Sequence, residues 1–140
     1  MKISTKGRYG LTIMIELAKK YGEGPIALKS IAKANNLSEH YLEQIISPLR
    51  NASLVKSIRG AYGGYTLADD PAKITAGDVI RVLEGPIQLV EGIEDEEPAK
   101  RELWMRISDA IKNVLDYTTL EDLASHSEAD TNDQGYMFYI

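Results

Sequence analysis

The stretch that most narrows the folds open to this chain is Arg59-Gly60-Ala61-Tyr62-Gly63-Gly64-Tyr65. It is a glycine-punctuated basic turn that follows closely on two short amphipathic periods, residues 28–51, joined by an asparagine turn. β-favouring runs flank it, Leu54-Val55-Lys56-Ser57-Ile58 before and Tyr65-Thr66-Leu67 after, so it reads as the tip of a two-stranded hairpin. Helix, turn, helix and hairpin in that order is the plan of a winged DNA-binding module. The expected fold is mainly α with a small β-hairpin wing: a winged helix-turn-helix domain plus a long dimerisation helix.

The periodicity on either side supports this plan. A first helix is expected to start after Ser4 or Thr5, because Tyr9, Ile13, Met14, Leu17, Ala18 and Tyr21 recur at three- and four-residue steps before Gly22, Gly24 and Pro25 stop it. A short helix over residues 27–34 follows, with Leu28, Ile31 and Ala32 inward, and Asn35-Asn36-Leu37 makes the turn, since asparagine tolerates a left-handed backbone. Ser38 is a natural N-cap for the next helix, whose Tyr41, Leu42, Ile45, Ile46 and Leu49 form one apolar stripe. That stripe leaves Glu39, His40, Glu43, Gln44 and Ser47 outside, while Pro48 is expected to kink the helix or loosen its last turn. Asp69-Asp70-Pro71 closes the wing. Thr75-Ala76-Gly77-Asp78 has the pattern of a capping box opening a helix that ends at Gly85-Pro86.

The organisation expected is residues 1–86 as the DNA-binding domain, 87–98 as an acidic linker loop, 99–126 as dimerisation helices, and 127–140 as a mobile polar tail with an apolar end. The linker gathers Glu91, Glu94, Asp95, Glu96 and Glu97 without periodicity. Beyond it, Leu103, Trp104, Ile107, Ile111 and Val114 line a helix of residues 99–117, about 28 Å long. The remaining chain is too short to cover that stripe, which points to a homodimer. Thr119 with Asp122 is expected to cap a final short helix through Leu120, Leu123 and Ala124. The tail Tyr136-Met137-Phe138-Tyr139-Ile140 either packs back on the dimer or docks in another protein that captures a terminal carboxylate.

Charge divides along the chain. The total of −5 conceals ten lysines and arginines against four glutamates in residues 1–66, a net of +6, and six bases against 17 acids in the rest, a net of −11. One face suited to phosphate and another kept away from it produce this asymmetry, although an acidic surface also simply keeps a protein soluble. With 140 residues and 44% apolar content, one core and an appended oligomerisation element are expected. No export leader opens the chain and no apolar run approaches membrane-spanning length, so a cytoplasmic protein without a membrane partner is expected. The absence of cysteine excludes disulfides, cysteine-ligated zinc, iron–sulfur clusters held by thiolates, and thiol catalysis.

Each candidate has a plainer reading. A helix pair of this size also occurs as a structural hairpin, and a glycine-rich turn can carry a merely solvated arginine. Both elements in the right order on the basic half make the DNA reading the stronger. In it, Arg59 enters a narrow minor groove, and Gly60, Gly63 and Gly64 let the backbone approach phosphates. His40 and His126 have no partners at metal-ligand spacing, and the carboxylates at 94–97 lie in a run that does not converge on one ion, so no metal site is expected. No nucleophile elbow, phosphate loop or dinucleotide motif is present. Two rivals stand beside a DNA-binding repressor: an interaction adaptor on a winged-helix scaffold, and a small enzyme using tyrosine, histidine or carboxylates.

Met1-Lys2-Ile3-Ser4-Thr5-Lys6-Gly7-Arg8-Tyr9, Leu37-Ser38, Tyr41-Leu42-Glu43-Gln44, Leu49-Arg50, Arg59-Gly60, Gly63-Gly64-Tyr65 and Glu84-Gly85-Pro86 together resemble the Rrf-type winged-helix repressors of bacteria, and among them those of cysteine metabolism. The resemblance covers nearly the whole chain. It implies a homodimer on a partly palindromic operator, with Ser38, Glu43 and Gln44 at recognition-helix positions that approach bases and Arg59 at the minor-groove arginine of the wing. The expected DNA-binding set is Ser38, His40, Glu43, Gln44, Arg59, Gly60, Tyr62, Lys2 and Arg8. Iron–sulfur members carry three cysteines between the helix ending near Gly85 and the long helix; this chain has none, so no cofactor is carried over. Cysteine-regulating members form a complex with cysteine synthase (O-acetylserine thiol-lyase), which implies partner binding through Tyr139 and Ile140.

Overall fold

In the computed structural model, which describes residues 2–132, capping side chains mark where the helices begin. Ser4 caps α1 (Thr5–Lys19) by accepting from the Gly7 amide. Ser38 caps α3 (Glu39–Asn51) by accepting from the Tyr41 amide at 3.1 Å. Between them α2 (Leu28–Asn35) ends on Asn36 in the left-handed conformation, φ 55°, which turns the chain tightly into α3. Helix α3 runs unbroken through Pro48 to Asn51; the missing amide removes one backbone bond without ending the helix, so no broken last turn results.

The wing consists of β1 (Val55–Ile58) and β2 (Gly64–Leu67), antiparallel, with Val55 opposite Leu67 at the base and Ile58 opposite Gly64 at the tip. Val55 and Leu67 are buried and anchor the hairpin in the core, while Lys56, Ser57 and Ile58 are exposed. A second anchor is the backbone bridge between Ile26, just before α2, and Tyr65. Its two hydrogen bonds measure 2.9 and 2.8 Å.

Helix α4 (Ala76–Glu84) opens with a full capping box: the Thr75 hydroxyl accepts from the Asp78 amide and the Asp78 carboxylate from the Thr75 amide. It lies close against α1 because Gly7 and Gly10 leave room; a Cβ at Gly10 would collide with the Leu83 side chain. The linker contains a 3₁₀ turn at Ile93–Asp95, and its Glu96 is not simply solvated. It accepts from the Trp104 indole at 3.2 Å and pairs with Lys100 at 3.1 Å, pinning the loop to α5 (Pro98–Tyr117).

The expected dimerisation helices divide between two environments. No residue of α5 is buried, and it is held to α4 by a bidentate pair from Arg81 to Asp116 at 2.7 and 2.9 Å. Helix α6 (Leu120–Asn132), capped reciprocally by Thr119 and Asp122, instead returns into the winged-helix core, where Leu120 and Ala124 are buried in one cluster with α1 residues Ile13, Met14 and Leu17. Two backbone bonds, Ala76 to Thr118 and Leu120 to Ile74, stitch its start to α4's entry. The helix also runs beyond residue 126, where the sequence reading ended it, since Ser127-Glu128-Ala129-Asp130-Thr131-Asn132 contains neither glycine nor proline to stop it. Among the described residues no helix is long and apolar enough to cross a membrane.

Candidate nucleic-acid interface

Burial of Leu42, Ile45, Ile46 and Leu49 decides which face of α3 is free. His40, Glu43 and Gln44 are exposed on that face, and Ser38 is exposed at its start. His40 and Gln44 lie one turn apart, with Nε2 atoms 3.3 Å from each other, so the pair orients two polar side chains along the outer face. His40, Glu43, Gln44, Ser47 and Arg50 share one open groove with Tyr65 of β2. The outer face of α3 from His40 to Arg50 and Tyr65 of β2 are therefore the two walls of a single concave surface.

At the wing's tip Arg59, Gly60 and Tyr62 are exposed, Tyr62 to 94%. Gly60, at φ 121°, turns the chain and its carbonyl accepts from the Gly63 amide at 3.0 Å. The structure gives Gly63 and Gly64 a different reason from the one expected. A Cβ on Gly63 would strike the Ile58 carbonyl, and one on Gly64 would strike the Ile26 carbonyl and stand 2.7 Å from the Ala27 amide nitrogen. These glycines let the hairpin close and dock on the domain, and of the three wing glycines only Gly60 has open space where a Cβ would stand.

Lys2 and Arg8 are exposed at the start of α1. The Tyr9 and Tyr41 rings meet edge-to-face, with centroids 6.1 Å apart, and so bring the beginnings of α1 and α3 together. Arg50 is absent from the expected DNA-binding set although it lies seven residues, two helical turns, beyond Glu43 on the same face. Helical spacing gives its face, but only the fold sets it opposite Tyr65 of β2.

The dimer candidates lie on a different surface. Leu103 and Val114 are exposed to 46% and 66%, and Trp104, Ile107 and Ile111 are half-buried. Ile107, Ile111 and Val114 form an apolar groove with Ile3 and Leu89. Tyr139 and Ile140 lie outside the described residues.

Residues 3–126 match the Rrf2 family, described as an iron-dependent transcriptional regulator. The chain is 76% identical over 140 residues, the whole of both sequences, to the HTH-type transcriptional regulator CymR of Bacillus subtilis strain 168. It is 35% identical over 134 residues to the HTH-type transcriptional regulator IscR of Photorhabdus laumondii, spanning 91% of this chain and 82% of that one. The solved structure of CymR, the global cysteine regulator of B. subtilis, superposes with a TM-score of 0.85 at 79% identity, covering 90% of this chain and 98% of that one. The iron in the family's description does not fit the residues present. The chain has no cysteine, and among the described residues no three histidines or carboxylates gather where an ion could be held. Glu96, one of the linker carboxylates, is engaged by Lys100 and Trp104.

Proposed function

Since the chain belongs to the Rrf2 family of transcriptional regulators, we propose that it is a dimeric DNA-binding repressor of cysteine and sulfur metabolism genes. The observation that carries the reading is the shared concave surface of α3 and wing, exposed and on the basic part of a chain that is acidic elsewhere. In this reading α3 enters a major groove and offers Glu43 and Gln44 to base edges. Glutamine suits the N6/N7 edge of adenine, and glutamate accepts from the amino group of cytosine. Ser38 and His40 act at the helix's first turn, Arg59 enters the adjoining minor groove with Gly60 and Tyr62, and Lys2 and Arg8 contact phosphates.

Two copies pair through Leu103, Trp104, Ile107, Ile111 and Val114 of α5. A stripe of this length left open to water favours association, and a twofold pair matches a partly palindromic operator. The gene set is proposed from the likeness to CymR, the global cysteine regulator of B. subtilis. Cysteine synthase as the sensor partner, engaged through Tyr139 and Ile140 in the cytoplasm, rests on the sequence resemblance to the family's cysteine-regulating members.

Fluorescence anisotropy on promoter fragments over a salt series tests the reading. Binding that favours particular fragments and weakens steeply with salt is expected, and Arg59→Ala should lose about 1–3 kcal/mol while remaining dimeric. A flat salt response with no fragment preference would instead identify an adaptor. Removal of Tyr139 and Ile140 should abolish capture of cysteine synthase and leave operator binding by the free dimer intact.

A further inference from the structure

We infer that Glu84 is a positioning residue for DNA binding: from the end of α4 it holds the start of α1, and with it the cations Lys2, Lys6 and Arg8 that lie just before and within its first residues. This rests on the DNA-binding reading above. One Glu84 carboxylate oxygen accepts from the Ser4 amide at 3.0 Å, and the other accepts from the Ser4 hydroxyl. Ser4 simultaneously caps α1, so a carboxylate from 80 residues away completes the amino-terminal end of this helix. Gly7 is required for the approach, because a Cβ there would stand 2.7 Å from the Glu84 carboxylate.

The neighbourhood is basic. Lys2 borders the same small cleft as Glu84, Gly85 and Pro86. Bonds from Ser4, reinforced by the Gly7 amide and by the nearby Lys6 charge, hold the Glu84 carboxyl below the usual carboxylate range. From this anchored start α1 reaches the recognition helix one turn later through Tyr9 and Tyr41. The carboxylate thus fixes the start of α1, where Lys6 and Arg8 stand and which Lys2 precedes.

Charge and positioning predict opposite outcomes for Glu84→Gln. Removing an anion beside Lys2 and Lys6 would, by charge alone, strengthen DNA binding. If Glu84 positions the start of α1, binding must instead order that segment, and affinity should fall by about tenfold despite the gain in positive charge.

The test measures operator binding by anisotropy over a salt series, using the full-length dimer. About tenfold weaker binding is expected for Glu84→Gln, with a shallower salt slope as fewer of these cations reach phosphates. In a Lys2→Ala/Arg8→Ala background the effect of Glu84→Gln should largely vanish. Unchanged or tighter binding, or the same loss in that background, overturns the inference. Should Glu84→Gln fail to fold, Ser4→Ala removes the hydroxyl donor and keeps the charge; a similar loss is expected, and wild-type affinity again overturns the inference. Failure of the wild type to bind any operator would refute the DNA-binding reading itself, whereas wild-type binding with an indifferent Glu84 refutes only this role.

Discussion

Gly64→Ala separates the wing's anchoring from its contacts with DNA. The added methyl group meets the Ile26 carbonyl and the Ala27 amide, all backbone atoms, so no side chain can swing aside and the bridge between Ile26 and Tyr65 must open. That bridge holds two backbone hydrogen bonds, at 2.9 and 2.8 Å. At about 0.5–1.5 kcal/mol net for each bond, the variant should lose about 1–3 kcal/mol of stability. For a chain of this size that lowers Tm by about 3–9 °C. Val55 and Leu67 remain buried, so the hairpin should persist with its tip displaced and operator affinity should fall together with stability. The assay is thermal unfolding by circular dichroism at fixed protomer concentration, since dimerisation couples to stability, followed by operator titration of the folded variant. Tyr62→Ala, at a tip residue 94% exposed, is the stability control and should melt with the wild type. A Gly64→Ala protein that melts with the wild type and binds equally well would refute the anchoring role assigned to the bridge.

Arg50→Ala should weaken binding about equally across operator variants and reduce the salt slope by about 1, the signature of a lost phosphate contact; a change confined to one base position would make it a base reader instead. Ile111→Asp places a carboxylate in α5's apolar groove and should shift sedimentation from dimer to monomer, with unchanged sedimentation excluding this face. Leu120→Ala, at a side chain with no exposure, should cost about 2–5 kcal/mol in denaturant unfolding, because α6 belongs to the core; a loss under about 0.5 kcal/mol would contradict that packing. Ser4 on Glu84 and Arg81 on Asp116 hold both carboxyls below their usual range, so their contribution is complete near neutrality and is lost as pH falls through the folded pKa values. Acid unfolding below about pH 4 should therefore be less steep in Glu84→Gln than in the wild type, and an unchanged acid limb would remove Glu84 from the account.

What could be read before folding was local. Ser4, Ser38, Thr75 with Asp78, and Thr119 with Asp122 each act on an amide three residues away, so their meaning is contained in a short stretch of sequence. The outer face of α3 was legible for the same reason: a stripe at helical spacing names its complement, and His40, Glu43 and Gln44 are found there. Arg50 escaped because its relevance depends on Tyr65 of the wing forming the opposite wall. For Gly63 and Gly64 the sequence shows that a backbone must come close to something, without showing that the partner is Ile58 or Ile26.

Sequence alone determined the helices, their starts, the hairpin, the basic amino-terminal half and the absence of thiol chemistry. Tertiary structure decided that Glu84 closes the start of α1, that Arg81 holds Asp116, and that Leu120 returns to the core while α5 stays outside it. Such pairings span tens of residues. Each is selected by which surfaces bury together and which loops can close, a property of the whole packed chain that no window of a few residues contains.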